Sequence, residues 1–237
     1  MKPIVVIPTY NEIDNIYAII NAVLSADERV HILIVDDNSP DGTADIVKEM
    51  QLTNNRILLM QRPGKMGLGT AYCQGFEHVI SLGYDTVMEM DADFSHDPND
   101  IRRFLTEIEQ YDLVIGSRYS NGVNVVNWPL SRLILSYSAN IYTRIITGMP
   151  IMDATGGFKC FRSKALSKID FSKIHSNGYA FQIEMNYRLW TSGARIKEIP
   201  IIFNDRRSGV SKMNRSIVWE AVFLVWKMKF LQIFGKL

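Results

Sequence analysis

Thr86-Val87-Met88-Glu89-Met90-Asp91-Ala92-Asp93 is a mostly apolar run that ends in two carboxylates one residue apart. Residues two apart on an extended chain point to the same side. Asp91 and Asp93 therefore project together from the end of a buried strand. Such carboxylates repel one another unless a cation or a positive partner lies between them. Mg²⁺ is held by one or two protein carboxylates, with water and substrate phosphates completing its shell. The stretch reads as a strand feeding a metal site that bridges the chain to a diphosphate. A second reading stays open, that of turn or capping aspartates, because His96-Asp97-Pro98-Asn99-Asp100 also starts a helix.

Outward from this stretch the same grammar repeats. Ile4 to Ile7 is a β-branched run suited to a strand buried on both faces, and it ends in Thr9-Tyr10-Asn11-Glu12. Ile16, Ile19, Ile20 and Val23 follow at helical spacing. Val30 to Val35 is the next strand and ends in Asp36-Asp37, with a turn cluster through Gly42 before a helix over 44–50. Arg56 to Gln61, the helix 69–82, the helix 98–110 and the strand Leu113 to Gly116 continue the alternation. The expected fold is α/β, with a mostly parallel sheet covered by helices on both faces. Ligands of such sheets bind outside the carboxyl ends of the strands, so the three polar clusters should meet in one crevice. After Arg118 a Gly/Asn-rich loop leads to a long helix over about 129–147, a turn at Asp153 to Phe158 and a helix over 177–192.

A chain of 237 residues, 47% apolar and 22% charged, has the composition of an ordinary globular protein and can bury a large core. Its net charge of +1 hides an asymmetry: from Arg206 onward there are seven Lys/Arg against one Glu, which leaves −5 for the rest. A basic, aromatic-rich tail suits an anionic surface or a phosphate ligand. Cys73 and Cys160 lack metal spacing and read as reduced core thiols in a cytosolic compartment. No leader is expected before the first strand, and no run of about 18 uninterrupted apolar residues occurs. Ile217 to Phe234 comes nearest, but it carries Glu220, Lys227, Lys229 and Gln232. It reads as a helix lying in a membrane interface, or packed on the body or on a membrane-embedded partner subunit.

Taken together, Val6-Ile7-Pro8-Thr9-Tyr10-Asn11-Glu12, Val35-Asp36-Asp37-Asn38-Ser39-Pro40-Asp41-Gly42-Thr43 and Lys65-Met66-Gly67-Leu68-Gly69-Thr70-Ala71 resemble the nucleotide-binding half of the inverting family-two glycosyltransferases, which have the GT-A (Rossmann-like) fold. Met90 to His96, Gly116-Ser117-Arg118-Tyr119, Phe181 to Met185 and Asp205-Arg206-x-x-Gly209-x-Ser211-Lys212 are similar to the dolichol/polyprenyl-phosphate mannosyltransferase branch. The resemblance covers nearly the whole chain. It implies a catalytic domain over 1–212, with a nucleotide half to about 118 and an acceptor half from about 119, then a membrane-proximal helix over 213–237.

The resemblance also implies roles. Pro8, Tyr10 and Glu12 would floor the nucleotide pocket, Val35 and Asp37 would contact the base, and Gly67 would let the backbone approach the ligand. Asp91 and Asp93, with Ala92 between them, match the pair that holds Mg²⁺ or Mn²⁺. Arg118, Arg206 and Lys212 match positions on the reacting phosphates and, with Asp93, form the expected catalytic set. Arg132 and Ser136, four apart on a helix, match the acceptor-phosphate site; an exposed surface Arg is the plainer reading of Arg132. Ser95 stands where some relatives carry Gln, so a third protein ligand is in question, and His96 reads as a turn residue. Gln182 and Arg188-Leu189-Trp190 do not reproduce the Gln-x-x-Arg-Trp spacing of processive synthases.

The implied activity is mannose transfer from GDP-mannose to a polyprenyl phosphate on the cytoplasmic face of a membrane. No nucleic acid partner is expected. The alternatives are a UDP-glucose or other UDP-sugar donor with the same acceptor, and a non-catalytic nucleotide-sugar-binding subunit.

Overall fold

A computed structural model describes residues 1–205 and 215–235. The elements, in chain order, are β1 (Pro3–Thr9), α1 (Ile13–Ala26), β2 (His31–Asp36), α2 (Thr43–Gln51), β3 (Ile57–Gln61), α3 (Leu68–Ser81) and β4 (Thr86–Glu89). They continue with α4 (Ile101–Glu107), β5 (Leu113–Ser117), β6 (Val125–Val126), α5 (Leu130–Thr147), β7 (Lys159–Arg162), α6 (Ser163–Leu166), α7 (Gly178–Thr191), β8 (Ile196–Pro200), β9 (Phe203–Asn204) and α8 (Arg215–Ile233). The helix expected over 98–110 divides into a 3₁₀ turn at Pro98–Asp100 and the shorter α4. Pro98 cannot donate to a preceding turn and so marks that entry.

Seven strands form one sheet in the order β3-β2-β1-β4-β7-β5-β8. All pairings are parallel except those of β7, which runs antiparallel between β4 and β5. That insertion is not visible in the strand–helix alternation, and it separates two strands that are consecutive in the main series. β6 and β9 pair as a separate short ribbon. β1 is buried along both faces, as its β-branched run requires. Alternate residues serve two cores: Val6, Val35, Tyr72, Phe76 and Phe181 on one side, and Val5, Ile7, Ile16, Phe104 and Phe158 on the other. α3 approaches its face closely because Gly75 has no Cβ, and one built there would lie 2.7 Å from Val6 Cγ1.

α8 lies across α5 and α7. Val225 and Met228 are buried, the Tyr142 hydroxyl donates to the Val222 carbonyl at 3.3 Å, and Lys229 Nζ donates to the Thr147 carbonyl at 3.4 Å. Tyr187 donates to Gln232. The other face of α8 is unlike a soluble helix: Phe223, Trp226, Phe230 and Ile233, at three- and four-residue spacing, are exposed. Leu130, Ile134, Ile141 and Ile145, at four- and seven-residue spacing, are likewise exposed on α5. Among the described residues, no helix is long and apolar enough to cross a membrane.

Candidate active site

A cavity of about 340 Å³ opens at the carboxyl ends of β1, β2, β4 and β5. It brings together Pro8, Tyr10 and Glu12 after β1, Asp37 after β2, Gly67 before α3, Asp91-Ala92-Asp93 after β4, Arg118 after β5 and Arg132 from α5. A larger hollow of about 850 Å³ lies at the opposite ends of the strands, near Thr86 and Arg162. Its arginines are already engaged, Arg162 by the Ile108 and Tyr111 carbonyls and Arg195 by Asp112. The smaller cavity is the one with the chemistry.

At the β1–β2 end, Thr9 Oγ1 and Ser39 Oγ donate to Asp36 at 2.9 and 2.6 Å, so Asp36 ties two loops together. Asp37 meets the cavity with both oxygens engaged by Arg62, at 2.6 Å from Nε and 2.9 Å from Nη2. A carboxylate keeps further lone pairs for a ligand N–H. Arg62 carried no sequence motif of its own, and only the fold shows that it steadies this aspartate. Val35 is placed differently from expectation: it is fully buried beneath α3, with its Cγ2 3.2 Å from the Cβ position of Gly75, and its side chain is not on the cavity wall. Gly67 lies on the cavity wall at φ +103°, where a Cβ would also collide with Asn177 Oδ1. Gly69 serves packing: a Cβ there would collide with the Ser176 carbonyl. Lys65 sits 4.4 Å over the Tyr10 ring and adds a positive charge to this end.

At the centre, Asp91 and Asp93 follow β4 as the alternation requires. Ser95 N–H donates to Asp93 Oδ1 at 3.0 Å, and Phe94 between them has φ +59°. A bulky residue in the left-handed region stores backbone strain, a feature that gathers at functional sites. His96 is more than a turn residue. It is buried, stacked 5.0 Å from the Phe158 ring, and its Nδ1 accepts the Asp91 N–H at 3.2 Å. Burial pushes its pKa down to about 4, so the imidazole is neutral and pins the acidic loop. Among the described residues no cluster of three or more His, Cys, Asp or Glu could hold a metal. Two carboxylates and no imidazole form an all-oxygen donor set that fits Mg²⁺ or Mn²⁺ completed by water and diphosphate.

At the far end, Arg118 is held by Asp153, which sequence reading treated as a turn residue. Arg118 Nε and Nη2 donate to the Asp153 carboxylate at 2.7 and 2.6 Å, and Nη2 also reaches Thr155 Oγ1 at 2.8 Å. Burial disfavours the Arg118 charge, but Asp153 outweighs it and the guanidinium pKa rises. Burial likewise raises the Asp153 pKa, and Arg118 more than offsets that, so the net shift is downward. Arg132 is not a surface arginine. Its guanidinium stacks 4.1 Å over Trp128, Nη1 donates to Asp205 at 2.9 Å, and its buried Nε has no hydrogen-bond partner among the described residues. A buried donor on a cavity wall is open to an acceptor from water or from a bound ligand. Ser136 is placed differently from expectation: its Oγ accepts from the Tyr119 hydroxyl at 2.8 Å, and it is not on the cavity wall. Arg206 and Lys212 lie outside the described residues.

The crevice lies at the carboxyl ends of a mostly parallel sheet, with an acidic pair at its centre and arginines beyond it, the arrangement expected of a GT-A fold. The sequence profile of Glycosyl transferase family 2 matches residues 4–170, and the chain belongs to that family. It is 45% identical over 226 residues to the polyprenol monophosphomannose synthase of Mycolicibacterium smegmatis, covering 94% of this chain and 85% of that one. It is 41% identical over 222 residues to the undecaprenyl-phosphate mannosyltransferase of Micrococcus luteus, covering 94% and 91%. Among solved structures, it resembles glucosyl-3-phosphoglycerate synthase from Mycobacterium tuberculosis in complex with Mn²⁺, UDP and glucosyl-3-phosphoglycerate, with a TM-score of 0.68, 14% identity and coverage of 97% and 80%. A mannosyltransferase from Pyrobaculum calidifontis in complex with GDP-Man and Mn²⁺ matches with a TM-score of 0.58, 14% identity and coverage of 99% and 74%. At those identities the likeness bears on the fold.

Proposed function

We propose that this glycosyltransferase moves mannose from GDP-mannose to the phosphate of a polyprenyl phosphate, inverting the anomeric centre. The likeness over 94% of the chain to a polyprenol monophosphomannose synthase carries the reading. The site chemistry supports it. Asp91 and Asp93 would hold Mg²⁺ or Mn²⁺, which when bound supplies positive charge to a departing diphosphate. Pro8, Tyr10, Glu12, Asp37 and Gly67 form the nucleotide end of the cavity. Arg118, rigid on Asp153, and Arg132, with its orphan Nε, form an anion-binding wall across the acidic pair. Arg206 and Lys212 are proposed as a further clamp on the diphosphate. A phosphate monoester has its second pKa near ~6 and is largely dianionic near neutrality, so no strong general base is needed. The arginine wall then orients the nucleophile for in-line attack.

The reading predicts that Arg132→Ala raises the polyprenyl phosphate concentration for half-maximal rate by about ten- to a hundredfold, the worth of one charge-assisted hydrogen bond. Donor affinity stays near wild type. Loss of donor affinity instead would put Arg132 on the nucleotide half.

A lipid acceptor also requires a membrane surface. Leu130, Ile134, Ile141 and Ile145 of α5 and Phe223, Trp226, Phe230 and Ile233 of α8 present apolar rows on neighbouring helices. In-plane helices bury such rows at the headgroup boundary. We place this face on the cytoplasmic leaflet, or on a membrane-embedded partner subunit. The double substitution Ile145→Glu and Phe230→Glu should abolish co-sedimentation with anionic phospholipid vesicles while leaving donor binding unchanged. Undiminished sedimentation would remove this face from the account.

A further inference from the structure

Beneath the cavity, past the acidic pair as seen from the nucleotide end, lies a buried polar group that the proposed mechanism does not use. Glu89 of β4 and Lys159 of β7 are register partners across the antiparallel β4–β7 pairing, and both are fully buried. Lys159 Nζ lies 3.3 Å from Glu89 Oε1, donates to the Gln182 carbonyl at 3.3 Å and donates to the Gln182 side-chain oxygen Oε1. An ammonium has donors only, so the atom facing it must be the amide oxygen. Lys159 thereby fixes which way the Gln182 amide is turned: Nε2 lies on the other side of the group, with one N–H against the Glu89 carboxylate and the second left over.

That other side meets the cavity. Gln182 lines it, and so does Gly157, whose missing Cβ leaves open the space in front of the amide. A Cβ at Gly157 would stand 3.5 Å from Gln182 Nε2 and 3.8 Å from His96 Cε1. The position is beyond Asp91 and Asp93 from β1 and β2, between the acidic pair and the arginine wall of Arg118 and Arg132. With the diphosphate at the acidic pair, the transferred sugar is what falls there. A neutral N–H donor in a buried floor suits a hydroxyl oxygen, whereas phosphate oxygens have the cations on either side.

We propose that Gln182 is a specificity-determining residue: its Nε2, oriented by Lys159 and uncovered by Gly157, donates a hydrogen bond to a hydroxyl of the transferred sugar. This rests on the glycosyl-donor reading of the cavity but not on which sugar or nucleotide is used. Lys159 is a positioning residue that acts through the amide.

The test is calorimetric, on the full chain, with GDP against GDP-mannose and UDP against UDP-glucose. The readout is the gain in affinity that the sugar adds to its own nucleotide. Gly157→Ala is the decisive variant. Its φ is outside the left-handed region and its new methyl meets only ordinary contacts, so the fold should tolerate it. The methyl would nevertheless stand against Nε2. Gly157→Ala and Gln182→Leu are each expected to remove about three- to tenfold of the sugar-dependent gain, with nucleotide affinity unchanged. Lys159→Met also strands the buried Glu89 carboxylate, so it is compared only after a melting curve shows it folded; it should then lose the same sugar-dependent gain by freeing the amide to turn, a change that a merely structural lysine would not confine to the sugar. An unchanged sugar-dependent gain in Gly157→Ala, with nucleotide bound as in wild type, overturns the proposal. Wild-type protein that binds neither nucleotide sugar overturns the donor reading itself, and this inference with it.

Discussion

Replacing Asp93 by asparagine lowers turnover by on the order of 10²- to 10³-fold while leaving the fold intact. Magnitudes of that size follow from removing one preorganised electrostatic partner of a developing charge. The substituted amide would keep an oxygen for the Ser95 N–H, now 3.0 Å from Asp93 Oδ1, so the turn at Phe94 survives. The thermal midpoint should therefore move little, as for most substitutions that create no cavity and strand no charge. What goes is half of the negative charge at the proposed cation site, and added Mg²⁺ or Mn²⁺ should restore the rate only in part. Steady-state transfer rates over a metal titration, alongside a melting curve, check both halves of the statement. Near-normal metal-dependent activity would show that Asp93 is a turn residue and nothing more.

The largest effect on stability is expected at Asp153. Its carboxylate is fully buried and takes two side-chain hydrogen bonds from Arg118, at 2.7 and 2.6 Å, and one from the Arg118 N–H at 2.9 Å. Asp153→Asn leaves the Arg118 guanidinium buried without a counter-charge. Breaking one partner of a buried pair costs about 3–5 kcal/mol. For a chain of this size that lowers the melting temperature by about 6–20 °C. The pH dependence has a definite sign. Burial raises the Asp153 pKa and Arg118 lowers it by more, so the native value lies below the ordinary range. The carboxylate's contribution is thus fully present above the unfolded pKa near ~3.9 and is lost as pH falls through the native pKa. The stability gap between wild type and Asp153→Asn should be constant near neutrality and narrow in acid. A gap that widens on acidification, or no gap at pH 7, would mean that the pair does not hold Arg118 in place.

Those two residues also show where sequence reading succeeds and where it stops. The position of Asp93, after β4 and on the cavity wall, is legible because its signal is local: an apolar strand, then two carboxylates at a spacing of two. The carboxyl ends of β1, β2 and β4 could be placed in one crevice because parallel strands bring their ends together, and Pro8, Tyr10, Glu12, Asp37 and Asp91 do line one cavity. Asp153 is not local. Its partner lies 35 residues away, and they meet only because the loop before β7 folds back over the end of β5. Arg62, which grips Asp37 from the end of β3, is of the same kind. Val35 lies off the cavity wall for another reason. Strand alternation puts Val35 and Asp37 on one side of the chain, but β2 ends between them, and Val35 is still inside the sheet beneath Gly75. Ser136 shares a helix face with Arg132, yet a helix face is wider than a ligand, and Tyr119 claims the hydroxyl. The apolar faces of α5 and α8 needed the structure to show which side chains the core leaves uncovered.

The most direct measurement is transfer of radiolabelled mannose from GDP-mannose to a short polyprenyl phosphate with Mg²⁺ or Mn²⁺, counted in the organic phase, with UDP-glucose in parallel. Label is expected in the lipid fraction from GDP-mannose, dependent on the cation and removed by a chelator. Label from UDP-glucose alone would keep the fold and the acceptor but contradict the donor. No label from either, while the nucleotide sugars still bind, would contradict the proposed transfer and favour a binding role.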